Sequence, residues 1–252
     1  MPRKFCIGGN WKSNPATVAT VKELCAAFRA CKFDSEKVDV ILCPVGLHGA
    51  VALDALGDCG IEIGIQNVSK TGPGAFTGEV TSAMAAEVGY KWCLIGHSER
   101  RARYGETIAD TCTKLTEAQN AGLKIMFCIG ESLEEREAGA TDDVNKQQLQ
   151  DALPLVKDWD KFVIAYEPVW AIGTGKVATP DQAEETHRNI RNYIAGVMGA
   201  DVAERVRIQY GGSASPENIE GLASKPNIDG FLVGGASLKP AFTKMIEHLN
   251  GL

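Results

Sequence analysis

The chain of 252 residues is long enough to bury a sizeable core, and its composition, 44% hydrophobic and 23% charged, is that of an ordinary packed protein. The formal net charge of -6 argues against general binding to nucleic acid or to anionic membranes, because those surfaces repel an acidic protein. An anionic small substrate would therefore need a local positive site. No apolar run is long enough for a secretory signal or a membrane span, so we expect a cytoplasmic protein.

The eight cysteines show neither a C-x-x-C pair nor the spacing of zinc ligands. Cys43, Cys93 and Cys128 lie inside apolar runs, where a buried free thiol acts as a small hydrophobic side chain. The sequence therefore predicts a reducing compartment, no structural disulfide and no metal site.

Short apolar runs alternate with amphipathic patterns along the whole chain. Each run is bounded by Gly, Pro or polar residues, which is typical of strands. Eight strands are predicted, at residues 5–9, 38–43, 61–66, 91–95, 124–129, 162–166, 205–210 and 229–233. Alternating strands and helices imply parallel strands, in either an open doubly wound sheet or a closed barrel. Eight units without a glycine-rich dinucleotide fingerprint favour a closed (β/α)8 TIM barrel, with residues 1–252 forming a single domain.

Helix starts are marked at three places. Residues 179–182 offer a cap, a first-turn proline and the third-position glutamine of a capping box. Ser132 and Glu135 form a second capping box, and residues 215–216 repeat the cap-plus-proline pattern. Residues 67–79, in contrast, lack helical or strand periodicity, and long structureless loops in compact domains are usually functional.

The sixth predicted strand, residues 162–166, delivers the carboxylate of Glu167 to its own end. Pro168 pushes the backbone of Glu167 toward an extended geometry. The apolar run that follows can exclude water, and Gly173 and Gly175 allow a sharp closure. A surface glutamate before an ordinary loop is the alternative, but solvated loops rarely place Val, Trp, Ala and Ile together. The segment indicates a proton-transfer site that closes.

Other strand ends carry matching chemistry. Lys12 follows the first predicted strand and His97 the fourth, while glycine pairs at 211–212 and 234–235 follow the last two. Taken singly, these are an exposed lysine, a capping histidine and ordinary turns. Barrels place their sites at the C-terminal ends of the strands, often with a phosphate at the last two loops. Together with Glu167 they indicate a site for a phosphorylated substrate.

The motifs Gly-His-Ser-Glu-Arg-Arg and Glu-Pro-Val-Trp, in this order along the chain, resemble the triosephosphate isomerase family. The resemblance covers essentially the whole chain and is carried by residues 9–12, 95–101, 128–131, 165–175 and 210–213. This family is itself the standard example of the barrel, of a glutamate base beside a neutral histidine, and of a closing loop. The resemblance implies an isomerase of glycolysis and gluconeogenesis that interconverts dihydroxyacetone phosphate and D-glyceraldehyde 3-phosphate.

Catalytic roles follow from the resemblance at matching positions. Glu167 would be the base, and His97 the electrophile that moves hydrogen between O1 and O2. Lys12 would stabilise the negative charge of the substrate and of the enediolate, and Asn10 would add a hydrogen bond. Glu99 would orient Lys12, or alternatively form a structural salt bridge.

Substrate binding is also implied by the resemblance, at Asn10 and Lys12 and through the backbone. The backbone N–H groups on the phosphate would belong to Gly173, Ser213, Gly234 and Gly235. Residues 168–178 would form the lid. No metal, nucleotide or organic cofactor is implied, because one carboxylate and one imidazole suffice for the isomerisation.

The loop 67–79 would project into a neighbouring subunit by resemblance, placing Thr77 near the partner's site in a homodimer; a mobile surface loop is the alternative. Two other functions stay open. An aldolase would use Lys12 as a Schiff-base nucleophile. A catalytically silent barrel would serve as a sensor or scaffold for phosphorylated metabolites.

Overall fold

The computed structural model describes residues 3–172 and 178–252. Eight parallel strands pair in chain order, and the last pairs with the first to close the barrel. The strands are β1 (Phe5–Asn10), β2 (Val38–Cys43), β3 (Ile61–Ile65), β4 (Trp92–Ile95), β5 (Lys124–Ile129), β6 (Phe162–Tyr166), β7 (Arg207–Tyr210) and β8 (Gly230–Val233). The predicted closed (β/α)8 barrel is confirmed.

Helices connect the strands. Those within the described residues are α1 (Val18–Arg29), α2 (Gly49–Leu56), α3 (Ser82–Val88), α4 (Ser98–Tyr104), α5 (Ile108–Asn120), α6 (Leu133–Glu137), α7 (Thr141–Gln150), α8 (Pro180–Met198), α9 (Ala200–Arg205), α10 (Ile219–Ala223) and α11 (Phe242–Asn250). Short 3-10 helices occupy residues 46–48, 153–155, 159–161, 169–171 and 235–238. None of the described helices is both long and apolar enough to cross a lipid bilayer.

Two apolar clusters hold the barrel together. The smaller consists only of strand residues, among them Cys6, Met126 and Val163, and fills the barrel interior. The larger lies between the strands and the helices, as shown by α11, whose Phe242 and Leu249 are completely buried. Burying both faces of every strand explains why the strands are continuous apolar runs in the sequence.

Strand boundaries agree with the predictions to within two residues, and two predicted starts are wrong. β7 begins at Arg207 instead of residue 205, because α9 runs to Arg205. Residues 215–216 form a turn, and the helix begins only at Ile219. The Asn218 side chain accepts a hydrogen bond from the Ser215 N–H (2.8 Å), which stabilises the turn instead of a helical start.

Both predicted capping boxes and the predicted loop are confirmed. Thr179 caps α8 with a capping box to Gln182, and Ser132 caps α6 with a capping box to Glu135. Residues 67–79 contain no helix or strand. All eight cysteines are free thiols.

Candidate active site

The C-terminal ends of the strands surround a cavity of about 230 Å³. It brings together most of the predicted site residues, namely Asn10, Lys12, His97, Glu167, Ser213, Gly234 and Gly235. Glu99 lines an adjoining cavity of about 140 Å³, which shares Lys12 and His97 with the first. Gly173 lies outside the described residues. Side chains that are far apart in sequence thus meet at one end of the barrel.

Glu167 and His97 are in direct contact within this cavity. Glu167 Oε1 lies 2.9 Å from His97 Nε2, and the Ser98 N–H donates to Glu167 Oε2 (3.0 Å). The Glu167 side chain is only 1% exposed. Burial raises the pKa of this carboxyl, but the nearby His97, Arg101 and Ser98 outweigh burial and hold the pKa below its usual value. The carboxylate is therefore charged although it is buried.

The tautomer of His97 follows from its place at the N-cap of α4. Its Nδ1 accepts a hydrogen bond from the Glu99 N–H (3.2 Å). A nitrogen that accepts a hydrogen bond carries no proton, so the ring proton of a neutral imidazole lies on Nε2. That is the nitrogen that faces Glu167. The helix start thus fixes which atom of His97 can donate to a neighbouring oxygen.

Lys12 adopts a backbone conformation that is uncommon for a lysine, with φ of 53°. Two hydrogen bonds hold it there. The Lys12 N–H donates to Asn10 Oδ1 (3.0 Å), and Gln66 Nε2 donates to the Lys12 carbonyl (2.8 Å). The ammonium then reaches Glu99 Oε1 at 2.7 Å. Because both ends of the residue are fixed, its charge is held at the edge of the cavity.

The two glycine pairs have different functions in the structure. A Cβ on Gly211 would lie 2.9 Å from Glu167 Cγ, and a Cβ on Gly212 would lie 2.3 Å from the Tyr210 hydroxyl. The first pair therefore makes room for neighbouring side chains. Around Gly235 no atom of residues 3–172 or 178–252 would lie within 4 Å of a Cβ, so these residues leave space beside the backbone there. Only the second pair offers free access to an anion.

The start of the predicted lid is anchored on a buried carboxylate. Glu131 Oε1 accepts hydrogen bonds from the Tyr166 hydroxyl and from Trp170 Nε1, both at 3.0 Å. Arg136 donates to the same oxygen (3.2 Å) and lies over the Trp170 ring. Residues 173–177 of the predicted lid lie outside the described residues. The closing motion remains a prediction.

Three polar residues of this region were missed by the sequence analysis: Gln66, Arg101 and Glu131. Arg101 and Glu131 lie inside the motif segments, so their position pointed to the site, but their partners are main-chain or distant groups that spacing does not reveal. Among the described residues, no group of three or more His, Cys, Asp or Glu side chains is arranged to hold a metal ion.

Comparison with known proteins identifies the family. The family model described as triosephosphate isomerase matches residues 5–249. Triosephosphate isomerase of Candida albicans is 44% identical over 247 residues, which are 98% of this chain and 99% of the relative. A rice protein named "Triosephosphate isomerase, cytosolic" is 45% identical over 98% of this chain and 97% of its own length. This chain belongs to the triosephosphate isomerase family and is an enzyme that isomerises triose phosphates.

Proposed function

We propose that Glu167 is the base that carries a proton between C1 and C2 of the triose phosphate. The observation that supports this most strongly is the 2.9 Å contact between a buried carboxylate and the Nε2 of His97. A charged base, a neutral acid and an ammonium all border one cavity, which is what proton transfer next to a carbonyl requires.

The reaction then has a simple order. The Glu167 carboxylate takes a proton from C1 of dihydroxyacetone phosphate, and an enediolate forms. His97 donates its Nε2 proton to O2 and takes a proton from O1, so the imidazole ends neutral again. Glu167 returns its proton to C2. Substrate entry must first displace the contacts of Glu167 with His97 and Ser98, because these occupy both carboxylate oxygens.

Lys12 stabilises the negative charge that develops on the enediolate. Its ammonium is a fixed cation, and fixed charges stabilise a transition state without having to reorganise. The side-chain oxygen of Asn10 is used by the Lys12 N–H, which leaves the Asn10 amide group free to donate to the substrate. Glu99 orients the Lys12 ammonium through the 2.7 Å ion pair.

The substrate phosphate binds to backbone N–H groups of Ser213, Gly234, Gly235 and Gly173. The open space around Gly235 supports this assignment. No metal, nucleotide or organic cofactor takes part, because the carboxylate and the imidazole perform both proton transfers. Residues 168–178 close over the bound phosphate, which excludes water and prevents loss of phosphate from the enediol.

The whole chain, residues 1–252, works as one domain in a cytoplasmic homodimer. Residues 72–80 are all exposed and include the aromatic ring of Phe76, which is 49% exposed. Leu47 and Tyr104 are also exposed, to 86% and 69%. Exposed apolar groups of this size favour a partner. The loop 67–79 would place the partner's Thr77 in the 140 Å³ cavity beside Lys12.

Two other functions fit less well. An aldolase needs Lys12 Nζ free to attack a carbonyl carbon, whereas Glu99 Oε1 holds that nitrogen at 2.7 Å. Borohydride in the presence of substrate reduces any Schiff base on Lys12, so covalent trapping of substrate on Lys12 would favour the aldolase. A sensor of phosphorylated metabolites needs the phosphate-binding loops but no buried base beside a proton donor.

Hydrogen exchange tests the proposed reaction. In heavy water, the enzyme should incorporate deuterium into dihydroxyacetone phosphate and convert it to D-glyceraldehyde 3-phosphate, as followed by proton NMR. Glu167→Gln should show neither the exchange nor the conversion at a rate comparable to that of the parent enzyme. Absence of both exchange and conversion in the folded parent enzyme would contradict proton transfer by Glu167.

A further inference from the structure

Arg101, on α4, binds three backbone carbonyls beneath the cavity. Its Nη1 donates to the carbonyls of Gly96 and Cys128, the latter at 2.9 Å, and its Nη2 reaches the Gly130 carbonyl at 3.5 Å. Gly96 directly follows β4, Cys128 is the penultimate residue of β5, and Gly130 directly follows β5. The guanidinium therefore joins the ends of two neighbouring strands.

Both strand ends bear directly on the proton-transfer pair. Gly96 immediately precedes His97 in the chain. Gly130 packs so tightly against the base that a Cβ there would lie 1.8 Å from the Glu167 carbonyl oxygen. The Glu167 N–H also donates to the carbonyl of Ile129 at 2.7 Å. A shift of either strand end would change the distance between the imidazole and the carboxylate.

The charge of Arg101 has no carboxylate partner of its own within residues 3–172 and 178–252. Its neighbour Arg100 is paired with Glu106 at 2.8 Å, whereas the contacts of Arg101 are carbonyl oxygens. Against the effect of burial, the adjacent His97 contributes most to lowering the pKa of Glu167, and the charge of Arg101 adds to it. An unpaired guanidinium near a buried carboxylate favours the ionised form of that carboxylate.

We propose that Arg101 is a positioning residue for the isomerisation. Its guanidinium fixes the contact between His97 and Glu167 through the carbonyls of β4 and β5, and its charge keeps Glu167 ionised inside the barrel. This inference rests on the proposed role of Glu167 as the base.

Other groups that face Glu167 act differently. From β4 and α4 come His97, whose Nε2 contacts the carboxylate, and the N–H of Ser98. From β5 comes Cys128, and burial raises the pKa of its thiol, so it carries no charge at neutral pH. From β1 comes Lys12, whose charge is paired with Glu99. Among these described groups, Arg101 supplies the positive charge that no carboxylate neutralises.

Two substitutions separate the charge of Arg101 from its hydrogen bonds. Arg101→Gln keeps amide donors but removes the charge, and Arg101→Lys keeps the charge but loses the planar fork. In the pH profile of kcat/KM, activity falls on the acid side as Glu167 becomes protonated. Without the positive charge of Arg101, this acid limb should move to higher pH by roughly one unit in Arg101→Gln. The acid limb of Arg101→Lys should stay at the parental pH. In both variants kcat should fall about 10- to 100-fold, through misplaced groups, with little change in KM.

Arg100→Gln is the matched control, because it removes the neighbouring guanidinium and its pair with Glu106. Thermal unfolding establishes that each variant is folded. An unmoved acid limb in folded Arg101→Gln, or an equal shift in Arg100→Gln, would overturn the inference. If Arg101→Gln does not fold, Arg101→Lys decides alone. That variant keeps the positive charge, so a shifted acid limb in it would contradict the role of the charge.

A failure of the proposed role of Arg101 can be distinguished from a failure of the proposed role of Glu167. If Glu167→Gln retained the parental rate, the base would be misassigned and the acid limb would not belong to Glu167. If Glu167→Gln were inactive while the Arg101 variants kept the parental limb and the parental kcat, only the role of Arg101 would be wrong.

Discussion

At the scale of single residues, the chemistry of the site depends on three side chains and on the contacts that orient them. Glu167, His97 and Lys12 were predicted because each lies within two residues of the end of a strand, and strand ends meet in a barrel. The left-handed backbone of Lys12 was not predictable, since it depends on Gln66, which is distant in sequence. The tautomer of His97 depends likewise on the start of α4, where the Glu99 N–H donates to His97 Nδ1.

The reactivity of the individual thiols is a second property that only the structure shows. Burial raises the pKa of Cys6 to about 12 and contributes to raising those of Cys25 and Cys31 to about 11. Only Cys59 and Cys112 are partly exposed; the other six cysteines are buried. The thiolate is the reactive form, so a buried thiol with a raised pKa is inert.

We therefore expect Ellman's reagent to titrate at most two thiols rapidly in the native enzyme at mildly alkaline pH. All eight should react after denaturation. Cys59→Ser should remove one rapidly reacting thiol, which serves as the control. Rapid labelling of Cys43 or Cys93, identified by mass spectrometry of the native protein, would contradict this expectation.

At the scale of elements, the apolar runs of the sequence located all eight strands. The observed strand ends differ from the predicted ends by two residues at most. The wrong starts have a common physical reason. At Arg205 a helix runs on into the predicted strand, and at Ser215 an asparagine side chain stabilises a turn where a cap was expected. Local signals cannot show which of two compatible local structures the tertiary contacts select.

The lid is the element whose motion the account depends on. Shortening residues 173–177 should raise the release of phosphate relative to isomerisation, because the enediol would be exposed to water. Glu131→Gln, which weakens the anchor of Trp170 but keeps the lid length, should raise phosphate release to a smaller extent. Product analysis measures both rates. Unchanged partitioning in the shortened enzyme would defeat the proposed role of the lid.

At the scale of the whole molecule, the two ends of the barrel differ in chemistry. The end opposite the site is held by ion pairs, such as Asp229 with Arg3 and with Arg191, both at 2.6 Å. The catalytic end instead carries a charged cavity and exposed apolar groups beside it. Both features of this end fit the proposed substrate site and the proposed dimer.

The proposed dimer is tested by sedimentation. The enzyme should sediment with twice the mass of one chain, and Phe76→Arg should yield a monomer with reduced kcat, since the partner's Thr77 would be withdrawn from the site. Leu252→Arg alters another exposed apolar residue, outside the loop 67–79, and should leave the dimer intact. A monomer with full activity at working concentration would contradict the proposed assembly.

The most direct test of the central claim is the isomerisation rate of Glu167→Gln beside that of Glu167→Asp. The glutamine keeps the size of the side chain but cannot accept a proton from carbon, so we expect its kcat to fall about 100- to 10,000-fold. Aspartate keeps the carboxylate and should lose less. Parental kcat in folded Glu167→Gln would contradict the account.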